Sequence, residues 1–500
     1  QGPVASGGPG GSRRIFQPDS RNSAYFSQPG DEATLTALGG GVYQLQESDG
    51  TIRRFRADGK LDYVQDVHAN RITCAYQGDQ LVRLDHNAGP YLTIAYNAAG
   101  RISSITDSYG RAATFTYDTA NEHLLSATDY RGLSFTYDYY VNQGLARQNA
   151  LKEVIKPDGN RFTFTYDAMG RISQQDGSCG GGGSTSYVYN STGGVTITDA
   201  LSNSSRYFYD YRGLLCRSVD AMGNVSTRTY DNLGRLVVST DAAGRSQTYT
   251  YDADGNVTSQ TDAMGHTTQY AYAGPYDKLT MVIDANGNQT SYAYEADGDL
   301  TSITDDAGYS QRWTYDGKGS VLTQTNKRGQ VIAYTNDSLG RVTEKRYSDG
   351  TVDTFTYDAR GNLTQYTDTT GATTQEFDAY DRLIKLTYPG GQWLAYTYDS
   401  AGRRATMEDQ LGNESIYHYD SVGRLHYLTD ETGAELVRYT YDADGRMSLK
   451  TLGNGVYTTY GYDAAGQLLH LVNRQPDGTI LSHFDYTYDS RGRRTSMATS

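Results

Sequence analysis

The stretch that decides the fold is Tyr230-Asp231-Asn232-Leu233-Gly234-Arg235-Leu236, and it returns 21 residues later, beginning at Tyr251-Asp252. Near copies recur along most of the 500 residues at a spacing of about 21. Self-similarity at a fixed period indicates a repeat architecture. We assign a structural role in the repeat to Tyr230, Asp231, Gly234, Arg235, Tyr251, Asp252, Gly255, Tyr357, Asp358, Gly361, Tyr398, Asp399, Gly402, Arg403, Tyr419, Asp420, Gly423 and Arg424.

Each unit contains a second turn signal about halfway along, as in Asp241-Ala242-Ala243-Gly244. Between the turns, aromatic residues such as Tyr249 and Tyr251 stand two apart, and Thr fills many alternate positions. Period two with aromatic and β-branched residues predicts strands. Asp-x-x-Gly suits a type I turn followed by a left-handed glycine, a common hairpin closure. We therefore predict an all-β fold of sequential hairpins.

The composition is unusual for a folded chain. There are 46 Tyr, 56 Gly and 9 Pro. Leu, Ile, Val and Phe together make up roughly 17% of the residues, below the ~20% at which disorder is suspected. A net charge of −14 is small for 500 residues and Pro is scarce, so disorder lacks its usual support. We expect Tyr, with its large ring and polar tip, to stabilise a thin sheet in place of an aliphatic core.

A sheet of this length is not expected to stay flat. About twenty units of two strands would form a strip roughly 200 Å long at the usual strand spacing. Open twisted sheets rarely exceed about 10 strands without curling. The strip should therefore coil, which would also protect its edges.

The Tyr-Asp…Gly-Arg-Leu unit resembles the YD repeat of rearrangement-hotspot (Rhs) proteins, which also occurs in Tc toxin C-component shells and in teneurin barrels. The resemblance covers roughly residues 40–500 and implies a long sheet coiled into a hollow shell or barrel. Together with the Gly- and Pro-rich composition of residues 1–12, it predicts three segments. Residues 1–12 would be a Gly-rich tail or linker, residues 13–54 the N-terminal opening of the Rhs core, and residues 55–500 a YD-repeat shell that continues beyond this sequence.

The resemblance also implies a function. The shell would be non-enzymatic and would enclose a polypeptide, the C-terminal toxin of a secreted polymorphic toxin. The location would be secreted or at a bacterial cell surface, after delivery by a secretion system. Related shells carry a self-cleaving motif with an Asp-Pro step, but residues 1–500 contain no Asp-Pro pair, so self-cleavage is not transferred. Two alternatives remain: a teneurin-like or wall-associated adhesion module with an extracellular partner, and a glycan-binding surface built from exposed Tyr.

Several classes of function are disfavoured. The pI near 5 without a basic cluster argues against nucleic-acid binding, and no apolar window is long enough for a membrane span. We predict no catalytic residue, no cofactor and no metal site. Asp252-Ala253-Asp254-Gly255 resembles the start of a calcium loop but lacks the Glu at position 12. His418 and His426 could be cross-strand neighbours, but solvated strand histidines are the default.

Three further features lie outside the regular repeat pattern: the cysteines, two breaks in the spacing and the Asn-x-Ser/Thr triplets. Cys74, Cys179 and Cys216 are expected to be free thiols, with a Cys179–Cys216 bridge as the alternative. The repeat register is broken near residues 139–150 and again by a Gly-rich loop at 177–184, and such breaks map to loops. Eight Asn-x-Ser/Thr triplets are attributed to turn Asn followed by strand Thr rather than to glycosylation.

Overall fold

The prediction of an all-β chain is confirmed in a computed structural model, which describes residues 4–7, 13–19, 24–27, 33–177, 183–274 and 276–499. None of these residues is helical, and accordingly the described part contains no helix that could cross a membrane. Forty-seven strands of three to nine residues lie in the described part.

The strands of the first half of the chain are β1 Val4–Gly7, β2 Arg13–Pro18, β3 Ala24–Phe26, β4 Thr34–Gly39, β5 Val42–Gln46, β6 Ile52–Phe55, β7 Leu61–Gln65, β8 Arg71–Gln77, β9 Gln80–His86, β10 Tyr91–Tyr96, β11 Ile102–Asp107, β12 Ala112–Tyr117, β13 Leu124–Thr128, β14 Ser134–Tyr139, β15 Leu151–Ile155, β16 Arg161–Tyr166, β17 Ile172–Gly177, β18 Ser184–Tyr189, β19 Gly194–Thr198, β20 Ser204–Tyr209, β21 Leu215–Val219, β22 Val225–Tyr230 and β23 Leu236–Thr240.

Those of the second half are β24 Ser246–Tyr251, β25 Val257–Thr261, β26 Thr267–Ala273, β27 Lys278–Ile283, β28 Gln289–Tyr294, β29 Leu300–Thr304, β30 Ser310–Tyr315, β31 Val321–Thr325, β32 Val331–Asn336, β33 Val342–Tyr347, β34 Val352–Tyr357, β35 Leu363–Asp368, β36 Gly371–Phe377, β37 Leu383–Thr387, β38 Trp393–Tyr398, β39 Arg404–Asp409, β40 Glu414–Tyr419, β41 Leu425–Thr429, β42 Glu435–Tyr441, β43 Met447–Leu452, β44 Tyr457–Tyr462, β45 Leu468–Arg474, β46 Ile480–Tyr488 and β47 Arg494–Thr499.

The chain forms two compact units. The first comprises residues 1–112, 231–237 and 247–372. Within it, β1–β11 and β24–β35 are two runs in which each strand pairs antiparallel with the next in the chain. A small apolar core lies near its N-terminus, where Phe16, Leu35 and Leu45 are fully buried with Tyr25 and Ala33 beside them.

The second unit comprises residues 113–230, 238–246 and 373–500. Its runs are β12–β22 and β36–β47, again with each strand paired to its successor. Most of its strand side chains are half-buried, and the buried apolar residues are scattered along the chain: Phe162, Val219, Tyr396 and Val472. The sheet is therefore stabilised by many local contacts rather than by one thick core.

The turns have the hydrogen bonds and the left-handed glycine that the Asp-x-x-Gly pattern predicts. In the turn after Tyr230, the Gly234 N–H donates to the Asp231 carbonyl at 3.1 Å and Gly234 has a φ of 85°. The Asp231 N–H then donates to the Arg235 carbonyl at 2.9 Å, closing the hairpin. This left-handed conformation costs a non-glycine residue roughly 1–2 kcal/mol. Asp381 takes the same position in one unit with a φ of 59°, and Asp is among the residues that tolerate it.

Candidate functional site

In most repeats, the loop that follows the Tyr-Asp pair, which we call the Tyr-Asp turn, is organised by the Asp carboxylate; Glu295 takes the place of Asp in the turn at 295–299. Oδ1 of Asp231 accepts hydrogen bonds from the backbone N–H groups of Leu233 and Arg235, both at 2.9 Å. The bond from the Arg235 backbone is the largest influence on the pKa of Asp231, which is held below its usual value. The carboxylate is therefore charged at neutral pH and fixes the turn.

The Arg of the turn links its own unit to the next. Arg235 Nε donates to Asp231 Oδ2 at 2.7 Å, and Nη1 donates to the Asp252 carbonyl at 3.0 Å. Its guanidinium lies 4.7 Å from the ring centroid of Tyr251, within cation–π range. The same stacking on the Tyr of the following unit is made by Arg341, Arg382, Arg403, Arg424 and Arg446.

The Tyr hydroxyl links its unit to the preceding one. Tyr230 Oη donates to the Leu215 carbonyl at 2.9 Å, and Tyr251 Oη to the Leu236 carbonyl at 2.6 Å. Asn336, which replaces Tyr in one unit, retains this bond through Nδ2 and the Val321 carbonyl at 2.9 Å. The bond to a carbonyl 15 residues earlier is also made by Tyr76, Tyr96, Tyr166, Tyr294, Tyr315, Tyr357, Tyr398, Tyr419 and Tyr462.

The other residues assigned from the sequence occupy equivalent places in their own units. Asp399 and Asp420 accept backbone N–H groups and the guanidinium of Arg403 and Arg424 respectively. In the turns of Asp252 and Asp358 an Asn side chain takes the place of Arg. Gly255, Gly361, Gly402 and Gly423 all have positive φ. The assigned residues thus lie in a series of like turns and converge on no single pocket.

Turns that are far apart in sequence contact each other, and the sequence does not predict which residues meet. In the first unit, His68 Nε2 lies 2.8 Å from Asp299 Oδ2, across 231 residues of sequence. Asn70 Nδ2 donates to the Lys318 carbonyl at 3.4 Å, across 248 residues. Gly50 packs so tightly that a Cβ there would lie 2.3 Å from the Tyr276 ring. Two separate runs of hairpins therefore meet through their turns.

The second unit contains a parallel set of contacts. Tyr130 Oη lies 3.4 Å from Asp381 Oδ2, across 251 residues. Arg491 Nη1 lies 3.3 Å from Asp241 Oδ2. The pKa of Asp444 is raised, first by its burial and then by the charge of the neighbouring Asp199.

These contacts share one rule in both units, and we call them the seam. With the exception of the contact between Gly50 and Tyr276, each contact joins a midway turn to a Tyr-Asp turn some 231 to 251 residues later. A midway turn is the second turn of a 21-residue repeat. The midway turns include residues 66–70, 129–133 and 241–245, and the Tyr-Asp turns include residues 295–299, 378–382 and 489–493. In a run of hairpins, alternate turns lie on opposite edges of the strip. The seam therefore brings opposite edges of the sheet together.

Comparison with known families now identifies the repeat. Residues 324–499 match the family described as Teneurin YD-shell, and residues 209–246 and 251–289 match the family described as RHS Repeat. Together these segments span just over half of the chain. The chain is thus built of YD (Rhs) repeats. No sequence among the curated proteins matches the chain.

Solved structures with the same fold contain Tc toxin components. The crystal structure of TcdB2-TccC3 is 15% identical to this chain, with a TM-score of 0.52. The whole of this chain matches 31% of the length of that one. A Photorhabdus luminescens Tc holotoxin pore carrying a TccC3 mutation is 13% identical, with a TM-score of 0.51 and 32% of that chain covered. TcdB2-TccC3 without its hypervariable C-terminal region is 14% identical, with a TM-score of 0.50 and 33% of that chain covered. The YD-repeat chain thus spans about a third of the length of these neighbours, and at such identities the likeness shows the fold alone.

The histidines of the YD-repeat chain are arranged differently from the expectation. His418 lies opposite Tyr427, not His426, and stacks on that ring at 4.2 Å. His426 Nε2 instead lies 3.1 Å from Arg438 Nη1. A bulge next to Tyr419 separates the two imidazoles, since the residue opposite Tyr419 is Leu425.

A histidine–aspartate cluster near the C-terminus was missed by the sequence reasoning. His470, His483 and Asp485 offer ligand atoms that all lie within 4.8 Å of one another. The signals available were the His-x-Asp spacing of His483 and Asp485 and the long interval before the last repeat at Tyr488. His470 could not be joined to them without the register of β45 and β46.

The cysteine and calcium-loop features have simple local roles in the described part of the chain. Cys74 and Cys216 are free cysteines, whereas Cys179, and with it the alternative Cys179–Cys216 bridge, lies outside the described residues. The Asp252 carboxylate is used by its own turn, accepting the backbone N–H and Nδ2 of Asn256 at 2.8 and 3.1 Å.

Proposed function

We propose that this YD-repeat chain is part of a non-enzymatic wall that encloses a polypeptide, the C-terminal toxin of a secreted bacterial Rhs protein. The observation that carries the proposal is the seam. Opposite edges of the strip meet after about 250 residues, which is about twelve repeats of 21. Within each compact unit, contacts between the turns of distant hairpins hold the two runs of strands together as parts of one wall.

A wall of this kind suits encapsulation for two physical reasons. Contacts between turns hold distant hairpins of each compact unit side by side, so that a single layer of strands can act as a wall. The wall also needs no thick apolar core, because the Arg–Tyr stacks and the Tyr–carbonyl bonds of each unit stabilise a single layer. A space can therefore remain behind the sheet for another polypeptide.

The likeness to Tc toxin structures supports the nature of the cargo. One neighbour is described as TcdB2-TccC3 without its hypervariable C-terminal region. We propose that a variable segment, with no sequence resemblance to the repeats, is the enclosed partner here. Secretion or display at a bacterial surface follows from the same proposal, since a toxin acts on another cell.

The test uses the full product of the gene that encodes this chain. The proposal expects the gene to continue past Ser500 into an Asp-Pro-containing motif and a variable domain. That domain should resist a protease in the intact protein and be digested when expressed alone. Intact protein carrying Gly50→Ala, which opens the seam, should lose part of the protection, whereas Gly59→Ala should not.

Two results would overturn encapsulation. One is a stop codon or a surface anchor directly after the repeats. The other is equal digestion of the variable domain in the intact protein and alone. Specific self-association or binding to a folded extracellular protein would then favour the adhesion module, and retention on a glycan array that is lost with exposed Tyr such as Tyr211 would favour glycan binding.

A further inference from the structure

One cluster of polar side chains stands apart from the repeat pattern. On β46, His483 and Asp485 are two residues apart and therefore point to the same face. On β45, His470 lies directly opposite Asp485, and Val472 lies opposite His483. Three groups with lone pairs are thus brought to one patch of one face by the register of a single strand pair.

The distances are those of groups that can share an ion. His470 Nδ1 lies 2.5 Å and His483 Nε2 lies 2.9 Å from the same oxygen, Oδ1 of Asp485. Zn–N and Zn–O bonds of about 2.0–2.1 Å place tetrahedral ligands about 3.3 Å apart. Small rotations of these side chains would therefore open the cluster to that spacing.

The surroundings leave room for the ion and for such rotations. The side chains of His470, Asp485 and His483 are 58%, 41% and 30% exposed. On the outer side of His470 the facing residue is Gly461, and on the outer side of Asp485 it is Ala498. The cluster is thus flanked on both strands by residues with little or no side chain.

Among the residues that the structure describes, this is the one group of three or more His, Cys, Asp or Glu side chains close enough to share an ion. The residue pair at the same register is Ser302 and Arg312 in one unit and Thr323 and Ala333 in another. β46 is nine residues long, whereas β28, β30 and β34 have six; its three extra residues, 480–482, precede His483, which takes the register position of Ser310 in β30. Groups that build the wall recur in most of the repeats, whereas this set occurs at one strand pair of the described residues.

We propose that His470, His483 and Asp485 form a binding site for a divalent first-row transition metal, with zinc as the ion to test. Two imidazoles and one carboxylate are donors that zinc accepts, and a water molecule completes four-fold coordination. Bound metal would join β45 to β46 near the C-terminal end of the described repeats. The proposal is independent of encapsulation, because it rests on this strand pair alone.

The experiment is calorimetric titration of the intact chain with zinc chloride after removal of metals by a chelator. We expect one site per chain stronger than any other. Asp485→Asn and His470→Ala should each weaken it at least tenfold, since even the loss of an outer-shell partner costs on the order of 10–100-fold. Circular dichroism would establish that both variants retain the β fold.

The matched control is His266→Ala. His266 is also 58% exposed and lies 3.0 Å from one carboxylate, Asp262, but it has no second histidine in its cluster. This variant should bind zinc as the unsubstituted chain does. Equal binding by the chain and by His470→Ala, or no site stronger than in a chain lacking all three groups, would overturn the proposal.

Discussion

At the scale of single residues, identical Asp side chains have opposite roles according to their surroundings. Asp231 accepts two backbone N–H groups and a guanidinium, so its charge is favoured. Asp444 lies in the seam, where burial and the neighbouring charge of Asp199 disfavour its charge. An ionised Asp therefore stabilises the fold in the turn of Asp231 and destabilises it at Asp444.

We predict that Asp444→Asn raises the thermal unfolding midpoint at pH 7 and that Asp231→Asn lowers it. The pKa of Asp444 is raised in the folded state, so its stabilising contribution is present at low pH and lost as the pH rises through the folded pKa. The pKa of Asp231 is lowered, so its contribution is present above about pH 4 and lost as the pH falls through the folded pKa. The measurement is the unfolding midpoint of each variant at pH 7 and pH 3.5. Shifts of the same sign at pH 7 would contradict this account.

At the scale of the hairpin, consecutive units are tied by a hydroxyl that reaches back to the preceding one. The bond from Tyr251 to the Leu236 carbonyl crosses from one unit to the other. That Asn336 makes the same bond with an amide indicates that the donor matters as well as the ring. The unit is therefore defined by a bond between units, besides its own turn.

We predict that Tyr251→Phe destabilises its hairpin locally by about 0.5–1.5 kcal/mol, the usual net value of one hydrogen bond. The measurement is amide hydrogen exchange of residues 236–251, which should be faster. The control is Tyr249→Phe, since the Tyr249 hydroxyl bonds only to the exposed Gln247 side chain at 3.1 Å. Unchanged exchange in Tyr251→Phe, or equal acceleration in both variants, would show that the hydroxyl bond contributes nothing.

At the scale of the whole molecule, the runs of hairpins in each unit depend on close approach at the seam. A Cβ at Gly50 would lie 2.3 Å from the Tyr276 ring and 2.4 Å from Val67. Gly59 has nearly the same φ, 80° against 85°, but no atom lies within 4 Å of its Cβ position. The two glycines therefore separate the cost of backbone strain from the cost of contact.

We predict that Gly59→Ala costs roughly 1–2 kcal/mol through its positive φ alone. Gly50→Ala should cost a further 1–3 kcal/mol, roughly the penalty of overpacking. Limited proteolysis and hydrogen exchange should show the extra loss around Tyr276 and the turn at 295–299, far from Gly50 in sequence. Equal effects of the two substitutions would mean that the seam adds no stability.

Strands and turns could be predicted because the information for a hairpin is local. Alternation of Tyr249 and Tyr251 sets which side chains share a face, and Asp and Gly at fixed spacing set the turn. The pairing of His418 could not be predicted in the same way, because a bulge of one residue beside Tyr419 moves its partner from His426 to Tyr427. The segment boundaries at residues 12, 13 and 54 remain predictions, as does closure into a hollow shell.

By itself the sequence determined that this protein is a chain of antiparallel hairpins with a period of about 21 residues, since each hairpin needs only its own Asp, Gly and alternating Tyr. The tertiary structure decided which turns meet across some 250 residues, because contacts between residues so far apart in sequence depend on long-range packing and on no local signal. It also decided that His470 joins His483 and Asp485, because the register of one long strand determines which side chains are neighbours.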